Sequence, residues 1–117
     1  MIDFACKKLN IEEIIKCSLG LTKAEQTLLK HMLKKQKEYT SEKLNEETSL
    51  ELSTVQRSLK NLHMKKLIDR SQKNLEHGGY VFCYKSRPRE ELRKMMQSIV
   101  TVWVANVDKA LGLWAKE

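Results

Sequence analysis

With 117 residues the chain has the size of one domain, and folding at that length removes about two-thirds of the unfolded chain's surface from water. Charged residues at 32% beside apolar ones at 41% exclude a disordered tail and a membrane-embedded chain, and one proline with four glycines leaves little room for irregular structure, so long helices should dominate. The formal charge of +7 favours a polyanionic partner, provided that the cations gather on one surface.

From Ile2 to Cys17 the apolar residues Phe4, Ala5, Leu9, Ile11, Ile14 and Ile15 recur at mixed three- and four-residue steps, which predicts an amphipathic helix ended by Ser18-Leu19-Gly20-Leu21. Thr22 followed by Glu25 is a capping-box pattern and starts a second helix, with Leu28, Leu29, Met32 and Leu33 on its buried side, running to about Lys37. Tyr39, Thr40 and Ser41 interrupt the pattern. Ser41 can cap a short third helix from Glu42 to about Glu47 with Leu44 facing inward, and Thr48-Ser49 form a turn. Leu52, Val55, Leu59 and Leu62 then return at steps of three, four and three, one apolar stripe along a fourth helix ending near Lys66. Two helices joined by a short turn make a helix-turn-helix.

After Leu67 the period changes to about two. Residues 68–72 read as a strand, Tyr80 to Tyr84 as its partner, and the polar stretch from Lys73 to Gly79, ending in Gly78-Gly79, as the hairpin loop of a wing. Ser86 and Pro88 open a final helix, with no further breaker before Gly112. Its residues Leu92, Met96, Ile99, Trp103, Asn106, Ala110 and Trp114 follow one another at steps of about four and three, close to a heptad seam. Val100, Val102, Trp103 and Val104 cover nearly every direction around its axis, so this segment needs a cover that one small domain does not supply. The β-branched run also suits a strand, but helix-forming neighbours on both sides and the absence of Gly or Pro favour the helix. The expected fold is mainly α with a two-stranded β-wing: a dimerisation helix over 1–18, a winged helix-turn-helix over 19–86, and a second dimerisation helix over 87–117.

This order of elements resembles the MarR-type and TrmB-type winged-helix regulators of bacteria and archaea. The resemblance spans about Leu19 to Tyr84 and rests on three stretches: Leu19-Gly20-Leu21-Thr22-Lys23-Ala24-Glu25 where the first helix of a DNA-binding domain would start, Ser53-Thr54-Val55-Gln56-Arg57-Ser58-Leu59 at the start of a recognition helix, and Leu67-Ile68-Asp69-Arg70 at the exit into the wing. It departs from the pattern at Lys66, where such proteins commonly place Gly, and at Asn45, in place of a small apolar residue, which predicts looser packing there. The long extension that carries sugar sensing in the TrmB type has no counterpart, so sugar sensing does not carry over.

With Leu59 at the centre of the buried stripe, Arg57 and Asn61 fall opposite it, flanked by Ser53, Thr54, Lys60, Met64 and Lys65. A helix lying in the major groove would let Arg57 pair with guanine and Asn61 with adenine, while Ser53 and Thr54 at the helix start would meet a phosphate. Between Ser53 and Lys73 lie Arg57, Lys60, Lys65, Lys66, Arg70 and Lys73 against the single acid Asp69. Lys73, Asn74 and His77 in the wing loop would reach the backbone or an adjacent minor groove, whereas Glu42, Glu46, Glu47 and Glu51 make the short helix and turn less suited to phosphate.

Other chemistries find little support. His31, His63 and His77 lack ligand-like spacing, and Cys6, Cys17 and Cys83 are odd in number with no CxxC pair, which argues against metal and disulfide frameworks and fits a reducing cytoplasm. Cys83 on the wing reads as a small buried residue rather than a redox sensor. The adjacent pairs Glu46-Glu47 and Glu90-Glu91 point in different directions, and no Gly-rich phosphate loop or nucleophile arrangement appears. No enzyme, cofactor or metal is expected. The N-terminus, with Asp3, does not read as a signal peptide, and the stretch 99–105 falls short of the roughly 20 residues that a membrane span needs.

The expected function is therefore a cytoplasmic homodimer that binds double-stranded DNA and regulates transcription as a repressor, with no readable effector. The alternative is a winged-helix module that recruits other proteins in a transcription or repair assembly. An RNA-binding domain fits less well, since single-strand binders rely on aromatic platforms and only 6% of the chain is aromatic.

Overall fold

The computed structural model describes residues 2–4 and 7–117, with side chains from residue 9 onward. The chain divides into two compact units, Met1–Gly20 with Glu90–Glu117, and Leu21–Arg89.

In the first unit, β1 (Ile2–Phe4) pairs antiparallel with β2 (Lys7–Leu9), and helix α1 covers Ile11–Leu19. The expected helix from Ile2 is thus corrected: its first half is a hairpin, and Ala5 and Cys6 lie outside the described residues. Only Ile11, Ile14 and Ile15 keep helical steps, and Asn10 sets the true start, its side-chain oxygen accepting from Glu13 N–H at 2.9 Å. Gly20 closes α1 in the left-handed conformation at φ 63°. Helix α5 runs over Arg89–Trp114. Leu92 is buried and Met95 and Met96 are half-buried, but every residue from 97 to 117 is exposed. Helix α1, nine residues long, leaves this stretch uncovered.

The second unit holds α2 (Lys23–Lys34), α3 (Ser41–Thr48), α4 (Leu52–Met64), β3 (Ile68–Asn74) and β4 (Tyr80–Ser86). Thr22 and Glu25 form the capping box that opens α2. Thr40, not Ser41, caps α3, accepting from Lys43 N–H at 3.2 Å. Helix α4 packs against α2, α3 and β3. Leu28, Leu29, Met32, Leu44, Val55, Leu59 and Leu62 are all at most 2% exposed and make a continuous apolar core with Leu67 and Ile68. Leu52, expected on the buried stripe, is 37% exposed, and Ser58 is buried in its place.

The two-stranded wing pairs Ile68 with Ser86 through to Asn74 with Tyr80, two residues longer on each strand than its alternating pattern predicts. Gly78 and Gly79 take positive φ in its loop. Tyr39 adds one more rung: its backbone exchanges two hydrogen bonds of 2.7 Å with Tyr84 on the outer edge of β4. The stretch that merely interrupts a pattern in the sequence is therefore a bridge that locks the wing to the helices. The architecture is the winged helix-turn-helix expected from the sequence, mainly α with a two-stranded wing.

Candidate nucleic-acid interface

Helix α4 is held by polar contacts as well as by its apolar stripe. Glu25, 2% exposed, accepts from Asn61 Nδ2 and Lys65 Nζ, each at 3.2 Å, and from Thr22 N–H at 3.3 Å. Burial alone pushes the Glu25 carboxyl up. The hydrogen bonds from Asn61, Lys65 and Thr22, with the Lys65 charge, outweigh that and hold it below its ordinary value. The capping residue of α2 thereby anchors the far end of α4.

This anchor corrects the expected reading face. The buried residues Val55, Ser58, Leu59 and Leu62 are centred roughly 50° from Leu59 toward Ser58, at 100° per residue. Asn61 and Lys65 consequently lie at the α2 side, half-buried and bonded to Glu25, and Thr54 is half-buried as well. The exposed face carries Ser53, Gln56, Arg57, Lys60 and Met64, of which the sequence reading missed Gln56. The signal was present: it needed the stripe to be centred on Ser58 and Leu59 together. Neither Arg57 nor Lys60 is held in an ion pair among the described residues. The N-terminus of α4 has no side-chain cap hydrogen bond and no acid in its first turn, but its N-cap residue is Glu51, whose carboxylate disfavours an anion there.

The turn before α4 is fixed by Asn45, whose side-chain amide donates to Leu50 O at 2.6 Å, with Ser49 left-handed at φ 63°. The looser packing expected at Asn45 is replaced by a polar brace across the turn. The acids of α3 are partly satisfied: Lys43 pairs with Glu46 and Glu47, and the His31 ring bonds Glu47 at 2.9 Å and pulls that carboxyl below its usual range.

On the wing, strand alternation divides the candidates between two faces. Arg70, Gln72 and Asn74 stand opposite Tyr84, Phe82 and Tyr80, and the Arg70 guanidinium lies 4.4 Å from the centre of the Phe82 ring. Lys73 belongs to the other face, ion-paired with Glu38, and the bond lowers the Glu38 carboxyl and raises the Lys73 ammonium. His77 lies in the exposed loop. Cys83 is buried, as its small apolar character suggests. Among the described residues no cluster of His, Cys, Asp and Glu comes together to hold a metal, and no helix is long and apolar enough to cross a membrane.

A helix-turn-helix braced at both ends, with two free cations on its outward helix and a wing beside it, can be compared with known proteins. The family model of the DnaD N-terminal domain matches residues 9–107. The chain belongs to the DnaD N-terminal domain family. A protein from Methanosarcina mazei Go1 named a possible transcriptional regulator has the same fold as this DnaD N-terminal domain, with a TM-score of 0.90 and 42% identity over 97% of this chain and 96% of that one. The ST1889 protein of Sulfolobus tokodaii shares the fold at a TM-score of 0.69 and 22% identity, covering 82% of this chain and 93% of its own. The uncharacterized protein MJ1503 of Methanocaldococcus jannaschii is 27% identical over 112 residues, 96% of this chain and 81% of that protein. The M. mazei neighbour is thus named for regulation and not for catalysis.

Proposed function

We propose that this DnaD N-terminal domain protein is a cytoplasmic, sequence-specific binder of double-stranded DNA that regulates transcription as a homodimer, as MarR-type and TrmB-type proteins do, and represses by occupying a promoter. The observation that supports it best is the outward face of α4, where Ser53, Gln56, Arg57, Lys60 and Met64 are exposed together. A helix of this length fits the major groove, where Arg57 can read guanine through two parallel bonds and the Gln56 amide can read adenine. Lys60 supplies a phosphate contact that fixes register. Asn61 and Lys65 act one step back, holding α4 at its angle through Glu25. Asn74 and His77 at the wing tip approach the backbone, while Lys73 is already neutralised by Glu38. The likeness to a possible transcriptional regulator at 42% identity favours the same reading.

Dimerisation rests on α5. Ile99, Trp103 and Trp114 are 42%, 54% and 71% exposed, with Val102, Val104, Leu111 and Leu113 exposed beside them, and clustered exposed apolar side chains of this kind mark an interaction surface. Leu92, expected to open the seam, is already buried within its own chain, whereas the half-buried Met96 starts it and Asn106 and Ala110 continue it, so a second copy can cover it from Met96 onward.

The test is duplex binding by the Arg57→Ala, Lys60→Ala double variant. Both side chains project from the surface, so the fold should survive. A lost bidentate base contact should cost about 1–3 kcal/mol of discrimination, and the lost phosphate contact should lower the salt slope by about one. Wild-type affinity of the double variant for a selected duplex would sink the reading and leave recruitment of another protein as the better account.

A further inference from the structure

The chain has seven aromatic residues, two Trp, three Tyr and two Phe, and three of them stand at alternate positions on one face of β4. Tyr80 is 57% exposed and meets Phe82 edge-on at 5.4 Å between ring centres, and the Arg70 guanidinium lies over Phe82 from the facing strand. Phe82 is half-buried with Arg70 over its ring, so the shelf open to solvent is the exposed Tyr80 ring beside the exposed Arg70. A cleft of about 240 Å³ adjoins it, lined by Tyr80, Phe82 and Tyr84 from β4, Gln56 from α4, and Ser41 and Glu42 from α3.

The chemistry of this cleft differs from that of a phosphate site. Glu42, which already accepts from the Ser41 hydroxyl at 3.2 Å, repels a phosphate but can accept from an exocyclic amino group as well, and the Ser41 oxygen keeps its lone pairs for a donor on a base edge. An intact duplex keeps its base faces stacked and offers none to such a shelf, whereas unpaired bases do.

We infer that the aromatic face of the wing and the adjoining cleft bind unpaired bases of a single-stranded nucleic acid, next to the duplex that α4 contacts. The inference extends the proposed function, since it assumes that this side of the molecule meets nucleic acid. It makes the protein a reader of opened or single-stranded DNA as well as of duplex.

The test uses the full chain with an oligothymidylate carrying one 2-aminopurine, whose fluorescence falls on stacking, and a selected duplex as the second probe. Wild type, the Tyr80→Ala, Phe82→Leu double variant and the Arg57→Ala, Lys60→Ala variant are titrated with each. The single strand should bind and be quenched, and the aromatic double variant should weaken that binding by roughly tenfold and relieve the quenching, with duplex affinity kept within about twofold. Tyr80→Ala alone, at an exposed position, should do part of this without risk to the fold. A wild type that ignores the single strand, or an aromatic variant that binds and quenches it like wild type, overturns the inference. Single-strand binding that depends on Tyr80 in a protein with no duplex affinity would contradict the regulator reading and support this one.

Discussion

Lys66 takes left-handed backbone at φ 64° just after α4, with Lys66 N–H bonding His63 O at 3.0 Å and Leu67 N–H bonding Leu62 O at 3.1 Å. These two bonds make a Schellman closure in which Lys stands where Gly ordinarily does. The need for this conformation was legible from the absence of Gly at a position that the flanking helix and strand patterns single out. Lys66→Gly should therefore stabilise the fold by about 0.5–1 kcal/mol, less than the full left-handed penalty because Gly also loosens the unfolded chain. The midpoint of urea unfolding measures it, and a lower midpoint would contradict the assignment. Glu25 was only half legible. Its capping role follows from a three-residue spacing, but its bonds to Asn61 and Lys65 span 36 and 40 residues of sequence, beyond the reach of any local pattern. Since its folded pKa is depressed, Glu25 contributes stability that is present above its unfolded value and lost as the pH falls through the folded one. Unfolding midpoints followed from about pH 6 to about pH 3 should fall steeply for wild type and less so for Glu25→Gln, which starts lower. Parallel curves for the two proteins would remove Glu25 from the account.

At the scale of elements, every helix and strand from α2 to α5 was readable, because 3.6-residue and two-residue periods are set by single faces packed on one core. The failures have specific causes. The N-terminal segment mixes Ile2 and Phe4 at a strand period with Ile11, Ile14 and Ile15 at a helical one, so no single helix fits both. The apolar residues alone centre the stripe of α4 near Leu59, since Ser58, a polar residue, carries no apolar signal although it is buried. On the wing, parity along β3 decides the matter: Lys73 and Arg70 are three residues apart and so face opposite ways, which a count of cations hides. Lys73→Ala should accordingly change the salt slope of duplex binding by much less than the one unit expected for a free phosphate contact, because Glu38 already neutralises it. A full unit lost on this substitution would show that DNA displaces Glu38.

For the whole molecule, α5 is the part whose sequence is explained least by its own chain. The seam from Ile99 to Trp114 was legible as a repeat, but what covers it was not, since a heptad pattern specifies a partner surface and not where the partner comes from. In the proposed dimer a second copy would cover the seam, and linking two reading heads would raise overall binding by about 10²–10⁴ when both engage. Ile99→Glu should shift the sedimentation of the protein from dimer to monomer, and should cost most of that gain on a two-site duplex while leaving binding to a single half-site unchanged. A wild type that sediments as a monomer at micromolar concentration would refute the dimer.

The central claim, that α4 reads duplex DNA, is tested most directly by selecting bound duplexes from a random pool with the wild-type chain. The result expected is an inverted repeat with half-sites about 10 base pairs apart, or a multiple of that spacing, whose affinity falls with salt at a log–log slope of roughly 0.9 for each phosphate neutralised. A pool that returns no enriched sequence, or binding that does not respond to salt, would contradict it.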